Sequence, residues 1–555
     1  MGMIERHVRR LAPALWWLLA THAGAFSHLW IPAQIPMRDG TSLAADVYLP
    51  AASGRWPAIL IQTPYDKRQF RFVFPVESGD DPLLKSPDYA FVVVDWRGFF
   101  ASAGAARPDA DRGRDGADAV EWVASQSWCT GAVGTWGPSA LGKVQFETAA
   151  AHPPHLRAAV PIVAQAGEEY EAYYPGGVYF RNRNEFVAAH FGGGTLVRAH
   201  PLKDAMWEAA ERLGPQPEDM SIPMLHISGW YDHGTAATMA LAAAIQERGG
   251  EGARGKQWLL VGPWTHGGAA TGTLAQGQLT YPAAQQEASR EAKAFFDRFL
   301  RGVANGWEER RFARTFRINE DVWEEGESWP AATARPRRFF LAAGGSLAAE
   351  PPAAEARPSV LADPAHPVPT LWGPIIVEGN GNRQGPGDLS PLAGRPDVLV
   401  FATPPLSRPL VVEGQPSLTI WLAADAVDTD VAVRLTHLTP DGRLLLLVDG
   451  IRRASLRDSF SDRKLLTPNA PVRVTVTLAP ISVTIPAGHR LGLLVAPSNF
   501  DRFDVNPQDG SSLADEPGAA ATPAEITVFL GGEPGSFLDL PTLPDARVRR
   551  RVSSR

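Results

Sequence analysis

Short apolar runs recur along the first half of the chain, separated by segments with helical periodicity. The runs Ala58-Ile59-Leu60-Ile61 and Phe91-Val92-Val93-Val94 have the continuous character of strands buried on both faces. Ahead of them, Met37-Arg38-Asp39-Gly40 predicts a tight turn, followed by an alternating strand from Ser42 to Leu49. Residues 115–127 predict a helix with Ala117, Val120, Trp122 and Val123 facing inward. A strand at 132–136 and a helix at 140–151 come next. The runs 158–163, 224–227 and 258–261 are also strand-like, with Pro161 placed near a strand end, where no ladder donor is needed. Strands alternating with helices predict a largely parallel sheet with both faces covered.

Two stretches depart from that rhythm. Residues 165–220 are long, aromatic, charged and partly helical, and lie between two strands of the sheet. An insertion at that place covers the carboxyl ends of the strands, where ligands bind in open α/β sheets, so it reads as a helical cap. After Gln286 an amphipathic helix runs through Phe295, Phe296, Phe299 and Leu300 and stops at Gly302. From Pro336 onward helical periodicity fades. Short β-rich runs at 398–401, 417–422, 431–438, 444–448, 472–478 and 490–495 alternate with Gly, Pro and Asp, the pattern of a sandwich or jelly roll. The expected organisation is a leader at 1–29, an α/β domain in two parts at 30–164 and 222–335, a cap at 165–221, and an all-β domain at 336–550.

The 555 residues exceed what one hydrophobic core supports. Hydrophobic residues make up 45% and charged residues 20%, ordinary for a globular protein, and the net charge of -7 gives no reason to expect nucleic acid as a partner. Arg547, Arg549, Arg550, Arg551 and Arg555 read as a solvated tail. With Cys129 as the single cysteine, no intramolecular disulfide and no cysteine metal cluster can form, and a structural thiol at the start of a strand is expected. The histidines are scattered without ligand spacing, so neither a metal nor another cofactor is expected. Arg9 and Arg10, an apolar run at 11–19 and Ala23-Gly24-Ala25 outline a secretory signal, whereas Pro13 and the short run argue against one; cytoplasm and export both stay open. Beyond that run no segment is apolar for long enough to span a membrane. Assembly as a homo-oligomer is left open.

The chemistry begins at Ser139. Val133-Gly134-Thr135-Trp136-Gly137-Pro138-Ser139-Ala140-Leu141-Gly142 reads strand, sharp turn, helix, and such a turn lifts a hydroxyl above the sheet edge at a helix N-terminus. The spacing is not the usual G-x-S-x-G, and the same segment also fits a serine that only caps a helix. A nucleophilic serine needs a base, and the base an orienting acid. Asp232 follows one strand and His266 the next, in the order serine, acid, histidine. His233 adjoins Asp232, but neighbours on a loop seldom point the same way, so it ranks below His266 as the base. His226, inside an apolar strand, reads as core. The N–H of Ala140 and a donor from the loop Thr63-Pro64-Tyr65-Asp66-Lys67 would serve a developing oxyanion, Tyr65 being the side chain available there. In the cap, Glu168, Glu169 and Glu171 beside Tyr170 could hold a substrate ammonium, and Trp230 adjoins the triad acid; the three glutamates equally fit a solvated helix face.

These residues resemble a known family. Ile35-Pro36-Met37-Arg38-Asp39-Gly40, Thr63-Pro64-Tyr65-Asp66-Lys67, Asp95-Trp96-Arg97-Gly98, the Ser139 segment, Gly229-Trp230-Tyr231-Asp232 and Gly262-Pro263-Trp264-Thr265-His266 are similar to the cocaine-esterase and X-Pro dipeptidyl-peptidase family of serine hydrolases. The likeness extends through Gly385-Pro386-Gly387-Asp388 and Arg395-Pro396-Asp397-Val398-Leu399. It implies an α/β-hydrolase domain, a helical cap and a C-terminal jelly roll, with Ser139 as nucleophile, Asp232 and His266 as its partners, and the Tyr65 hydroxyl and Ala140 N–H as oxyanion donors. Where the family usually has tyrosine after the serine, this chain has Ala140, so the N–H survives and an aromatic wall of the acyl pocket does not. Amino-ester hydrolases of the family carry acids just after the triad aspartate; here His233, Gly234 and Thr235 follow. The expected reaction is therefore acyl transfer from a small ester, amide or short peptide to water, the ester ahead of Xaa-Pro dipeptide release. The alternative of another class is a catalytically inactive binding protein that uses its jelly roll.

Overall fold

The alternation of buried strands and helices is present in the computed structural model, which describes residues 28–74, 81–511, 521–533 and 535–544. The expected leader segment falls almost wholly outside the described residues, and the arginine-rich tail entirely so. The chain forms two compact units: Met1–Ile162 with Ala270–Gly272 and Gln286–Trp307, and Val163–Ala269 with Thr273–Gln285 and Glu308–Arg555.

The first unit holds six strands: β1 (Leu29–Pro36), β2 (Ser42–Leu49), β3 (Trp56–Thr63), β4 (Ala90–Asp95), β5 (Cys129–Pro138) and β6 (Leu156–Ile162). Their spatial order is β1-β2-β4-β3-β5-β6. The β1–β2 and β2–β4 pairs are antiparallel, and β4–β3, β3–β5 and β5–β6 are parallel. The β1–β2 turn closes where Gly40, at φ 81°, donates its N–H to the Met37 carbonyl. Helix Arg112–Ser125 starts at Asp111, whose carboxylate accepts the Arg114 N–H. It buries Ala117, Val120 and Val123, while Trp122 is half-buried. Full burial of each valine contributes about 1.5–3 kcal/mol. Helix Glu287–Phe299 closes on β5 through Phe295 and Phe296, both fully buried. Glycine is required opposite it: a Cβ on Gly134 would stand 2.7 Å from the Phe296 ring and 2.9 Å from Leu300. Cys129 is a buried free thiol at the start of β5, as its position predicts.

The second unit holds β7 (Met224–Tyr231) and β8 (Gln257–Thr265), both buried along their length, then strands Ala313–Arg317 and Val322–Gly326. They follow one another in that order, parallel except for the last pair. Where the cap is expected, helices Tyr170–Tyr173, Arg181–Phe191, Gly194–Ala199 and Ala205–Leu213 gather around Tyr170, Tyr173, Tyr174, Tyr179 and Trp207. The β-rich remainder forms a 13-stranded sheet. Strand Phe537–Thr542 pairs with Arg335–Ala342, Leu410–Gly414 and Ser417–Ala424, and a strand shared by three partners is how two layers join at a corner. The cap is bound to this β domain. Asp504 accepts from both Arg181 and Arg198, Asn182 makes hydrogen bonds with Ile376 and Val377, and the backbone at Gly176 runs against the Ile451 carbonyl. Among the described residues no helix is long and apolar enough to cross a membrane.

Candidate active site

Ser139 stands between β5 and helix Ala140–Ala150 with φ 57° and ψ -121°, a backbone conformation that costs a residue with a Cβ about 1–3 kcal/mol. Its backbone is fixed on both sides. The Ser139 N–H donates to the Ile162 carbonyl at 2.9 Å, and its carbonyl accepts the N–H groups of Gly142 and Lys143. The hydroxyl does not cap the helix, so the capping explanation of this serine fails. Gly137, at φ 147°, makes the turn possible, since a Cβ there would lie 2.6 Å from that of Leu141. Strain at this residue, no capping bond and a helix N-terminus beneath it are the features of a nucleophile elbow. The N–H of Ala140, the first residue of the helix, faces the same end.

Tyr65 lies at this edge as well. β3 and β5 are parallel neighbours with Leu60 opposite Thr135, so residues just past Thr63 and just past Pro138 emerge together. The Tyr65 loop is pinned by the charged residues around it. Lys67 reaches the buried Asp46 at 2.7 Å, and its N–H donates to Asp95 Oδ1 at 2.7 Å. Burial opposes ionisation of Asp46, but Arg71 and Lys67 outweigh it and hold that carboxyl below the usual range. Arg97 ties Asp115 to Asp39, bracing the next loop. The Asp95-Trp96-Arg97-Gly98 segment is thus a scaffold for the edge that carries Tyr65.

In the second unit, β7 and β8 end side by side, with Tyr231 opposite Thr265. The residues that follow are Asp232 and His266, and His266 Nδ1 lies 2.6 Å from Asp232 Oδ2. The other carboxylate oxygen accepts the Gly234 N–H at 2.8 Å. Gly229 allows the strands to close this tightly, because a Cβ there would sit 2.1 Å from the Trp264 carbonyl. Asp232 is 2% exposed, and burial alone would push its carboxyl up. The imidazoles of His233 and His266 reverse that and hold it well below the usual carboxylate range. A carboxylate facing Nδ1 makes Nδ1 the protonated nitrogen and leaves Nε2 as a base.

His233 enters this pair against expectation: its Nδ1 lies 3.3 Å from the same Asp232 oxygen. The cause is the turn, in which the Asp232 N–H bonds back to the Gly229 carbonyl at 2.8 Å, and the signal available in sequence was the glycine on each side, Gly229 and Gly234. Nitrogen or oxygen atoms of Asp232, His233 and His266 all fall within 4.8 Å of one another. The 2.6 Å Nδ1–Oδ2 separation is a hydrogen-bond distance. Two ligands at about 2.0–2.1 Å on a tetrahedral zinc stand roughly 3.3 Å apart, so these atoms are spaced for a shared proton. His226 is buried in β7 with Nε2 2.9 Å from Gln257 Oε1, a core histidine as its strand position predicts.

The expected substrate contacts are placed differently. Tyr170 is 1% exposed, stacked on Tyr174, with its hydroxyl donated to the Pro201 carbonyl. Its ring fills the cap core. Glu168 accepts the Tyr173 hydroxyl, while Glu169 and Glu171 are exposed, so the acids do not form one cluster. Trp230 is 1% exposed, donates to the Phe316 carbonyl and packs on Trp329, a structural placement that follows from its position inside β7.

Comparison with known proteins agrees with this geometry. Residues 39–220 match the X-Pro dipeptidyl-peptidase S15 family, and residues 305–539 match the X-Pro dipeptidyl-peptidase C-terminal non-catalytic domain. The cocaine esterase of Rhodococcus sp. (strain MB1 Bresler) is 31% identical over an alignment that spans 92% of this chain and 97% of that protein. The fold is shared with an aminopeptidase from a marine sediment archaeon, Thaumarchaeota archaeon, at TM-score 0.82 and 21% identity over 94% of this chain and 97% of that one. It is also shared with an α-amino acid ester hydrolase at TM-score 0.80 and 23% identity, covering 96% and 100% respectively.

Proposed function

The chain belongs to the family of cocaine esterase and the X-Pro dipeptidyl-peptidases, a family of serine hydrolases, and on that premise we propose that it cleaves carboxylic esters through an acyl-enzyme on Ser139. The observation that carries this reading is the pairing of His266 with the buried, ionised Asp232 at the carboxyl ends of β7 and β8, in the chain order that follows an elbow serine.

Ser139 Oγ attacks the ester carbonyl and its proton passes to His266 Nε2. The tetrahedral intermediate collapses as that proton moves to the departing alcohol. Water then attacks the acyl-enzyme, gives its proton to His266, and the acid leaves as Ser139 takes the proton back. Asp232 keeps the imidazole in the Nδ1–H form and balances its charge while it is doubly protonated. The Ala140 N–H and the Tyr65 hydroxyl stabilise the oxyanion, each worth about a hundred- to a thousand-fold in kcat by analogy with single-donor removals.

An ester is favoured over an amino-terminal peptide because, among the described residues, the acids named for an ammonium do not gather at the triad. Glu168 is engaged by Tyr173, and His233, Gly234 and Thr235 follow Asp232. The test compares a p-nitrophenyl ester with a Xaa-Pro anilide, on the intact chain and on Ser139→Ala. Turnover of the ester that vanishes in Ser139→Ala supports the proposal. Preferential release of the anilide moves the assignment to dipeptidyl-peptidase, and ester turnover retained by Ser139→Ala overturns it.

A further inference from the structure

His233 Nδ1 is buried and forms no aligned hydrogen bond among the described residues, yet it lies 3.3 Å from Asp232 Oδ2. That oxygen is the one paired with His266 at 2.6 Å. The two imidazoles lie side by side, ring centroids 4.9 Å apart and planes 38° from parallel. On its other side His233 meets the edge of Phe180, a cap residue that packs on Phe503 and lies under the Arg502 guanidinium. The charged and titratable groups acting on His233 are Asp232, which favours its protonation, and His266 and Arg183, which oppose it. Burial is the largest influence and takes its pKa down to about 4, so the ring is neutral wherever His266 must act as a base. An apolar residue would fill the same space without an unsatisfied nitrogen, whose burial costs about 1–3 kcal/mol.

We propose that His233 is a positioning residue that presents a second N–H to the Asp232 oxygen orienting His266, and so lowers the basicity of His266. This rests on the triad reading above. A carboxylate oxygen that shares itself between two donors holds each proton less strongly, so the His266 imidazolium is stabilised less than it would be by an unshared Asp232. Resting distances that are slightly long are common at sites that tighten during reaction.

The test uses the full chain labelled in its histidine rings, so that His266 is read by NMR without turnover. His233→Phe and His233→Gln place no donor at the Nδ1 position, and the phenyl ring preserves contact with Phe180 and His266. His233→Asn puts an amide nitrogen where Nδ1 stands. The two donor-free variants are expected to raise the His266 midpoint by about 0.5 pH unit or more and move its Nδ1–H resonance downfield. The acid limb of kcat/KM shifts by the same amount with KM unchanged, and His233→Asn restores both. A wild-type midpoint and resonance in both donor-free variants overturn the proposal, as does an equal shift in His233→Asn. Should the NMR shift occur in a protein that hydrolyses no ester, the coupling stands and the functional reading falls.

Discussion

Replacing Asp232 with asparagine isolates the contribution of one proton. The new amide would fill the space of the carboxylate, and its orientation is dictated by the Gly234 N–H, which needs the acceptor it now has at 2.8 Å on Oδ1. With the amide oxygen held there, the NH2 group takes the place of Oδ2, 2.6 Å from His266 Nδ1. Two N–H groups cannot face each other at that distance, so His266 is driven to the tautomer with its proton on Nε2. That nitrogen then cannot accept the Ser139 proton. The same tautomer error in another serine hydrolase lowers kcat about ten-thousand-fold, or roughly 5.5 kcal/mol of transition-state stabilisation. Here kcat for a p-nitrophenyl ester, measured above the midpoint of His266, should fall by about that factor while KM changes less than about threefold. A kcat within about tenfold of the parent would refute the assignment of Asp232 as the residue that sets the histidine tautomer.

Three further outcomes follow from the same structure. Ser139→Gly should be more stable than Ser139→Ala by about 1 kcal/mol in chemical denaturation, because only glycine relaxes a φ of 57° combined with ψ -121°; equal stabilities would remove the strain argument. His226 is wholly buried with its pKa lowered to about 4, so its neutral form is favoured by folding. Its contribution is complete above about 6.5 and is lost as the pH falls from there to about 4, and His226→Gln should cut the loss of stability over that window by up to about 3 kcal/mol in urea titrations at the two ends; an unchanged pH dependence would contradict it. In the β domain Asp449 pairs with Arg502, and Arg434 is buried close by and held down to about 10 by burial despite the pull of Asp449. Asp449→Asn leaves two buried guanidinium groups without that carboxylate and should cost about 3–5 kcal/mol, read as a lowered unfolding midpoint of this domain; a loss under about 1 kcal/mol would show the charges are satisfied elsewhere.

Local pattern carried much of this architecture because the elements near the site have single, strong signals. The change from strand to helix across Ser139, and the ends of β7 and β8 just before Asp232 and His266, are written in short apolar runs bounded by glycine. The strands Ser417–Ala424, Asp430–Leu438 and Arg490–Ala496 were legible for the same reason. Strands Leu410–Gly414 and Ile481–Ile485 were not, being short and paired with each other across a long stretch of intervening chain. The acids of the cap look like one site because they are adjacent in sequence, whereas Tyr173 takes Glu168 and the helix turns Glu169 and Glu171 outward. The placement of His233 escapes a rule about neighbours on extended loops, which the tight turn from Gly229 to Asp232 does not obey.

The central claim is that Ser139 is the nucleophile, and covalent capture tests it most directly. The intact protein treated with a fluorophosphonate, digested and mapped by mass spectrometry should carry one adduct, on the peptide containing Ser139. That adduct should be absent from Ser139→Ala and form far more slowly in His266→Ala. An adduct on another residue, or a folded protein that takes no label, would contradict the account.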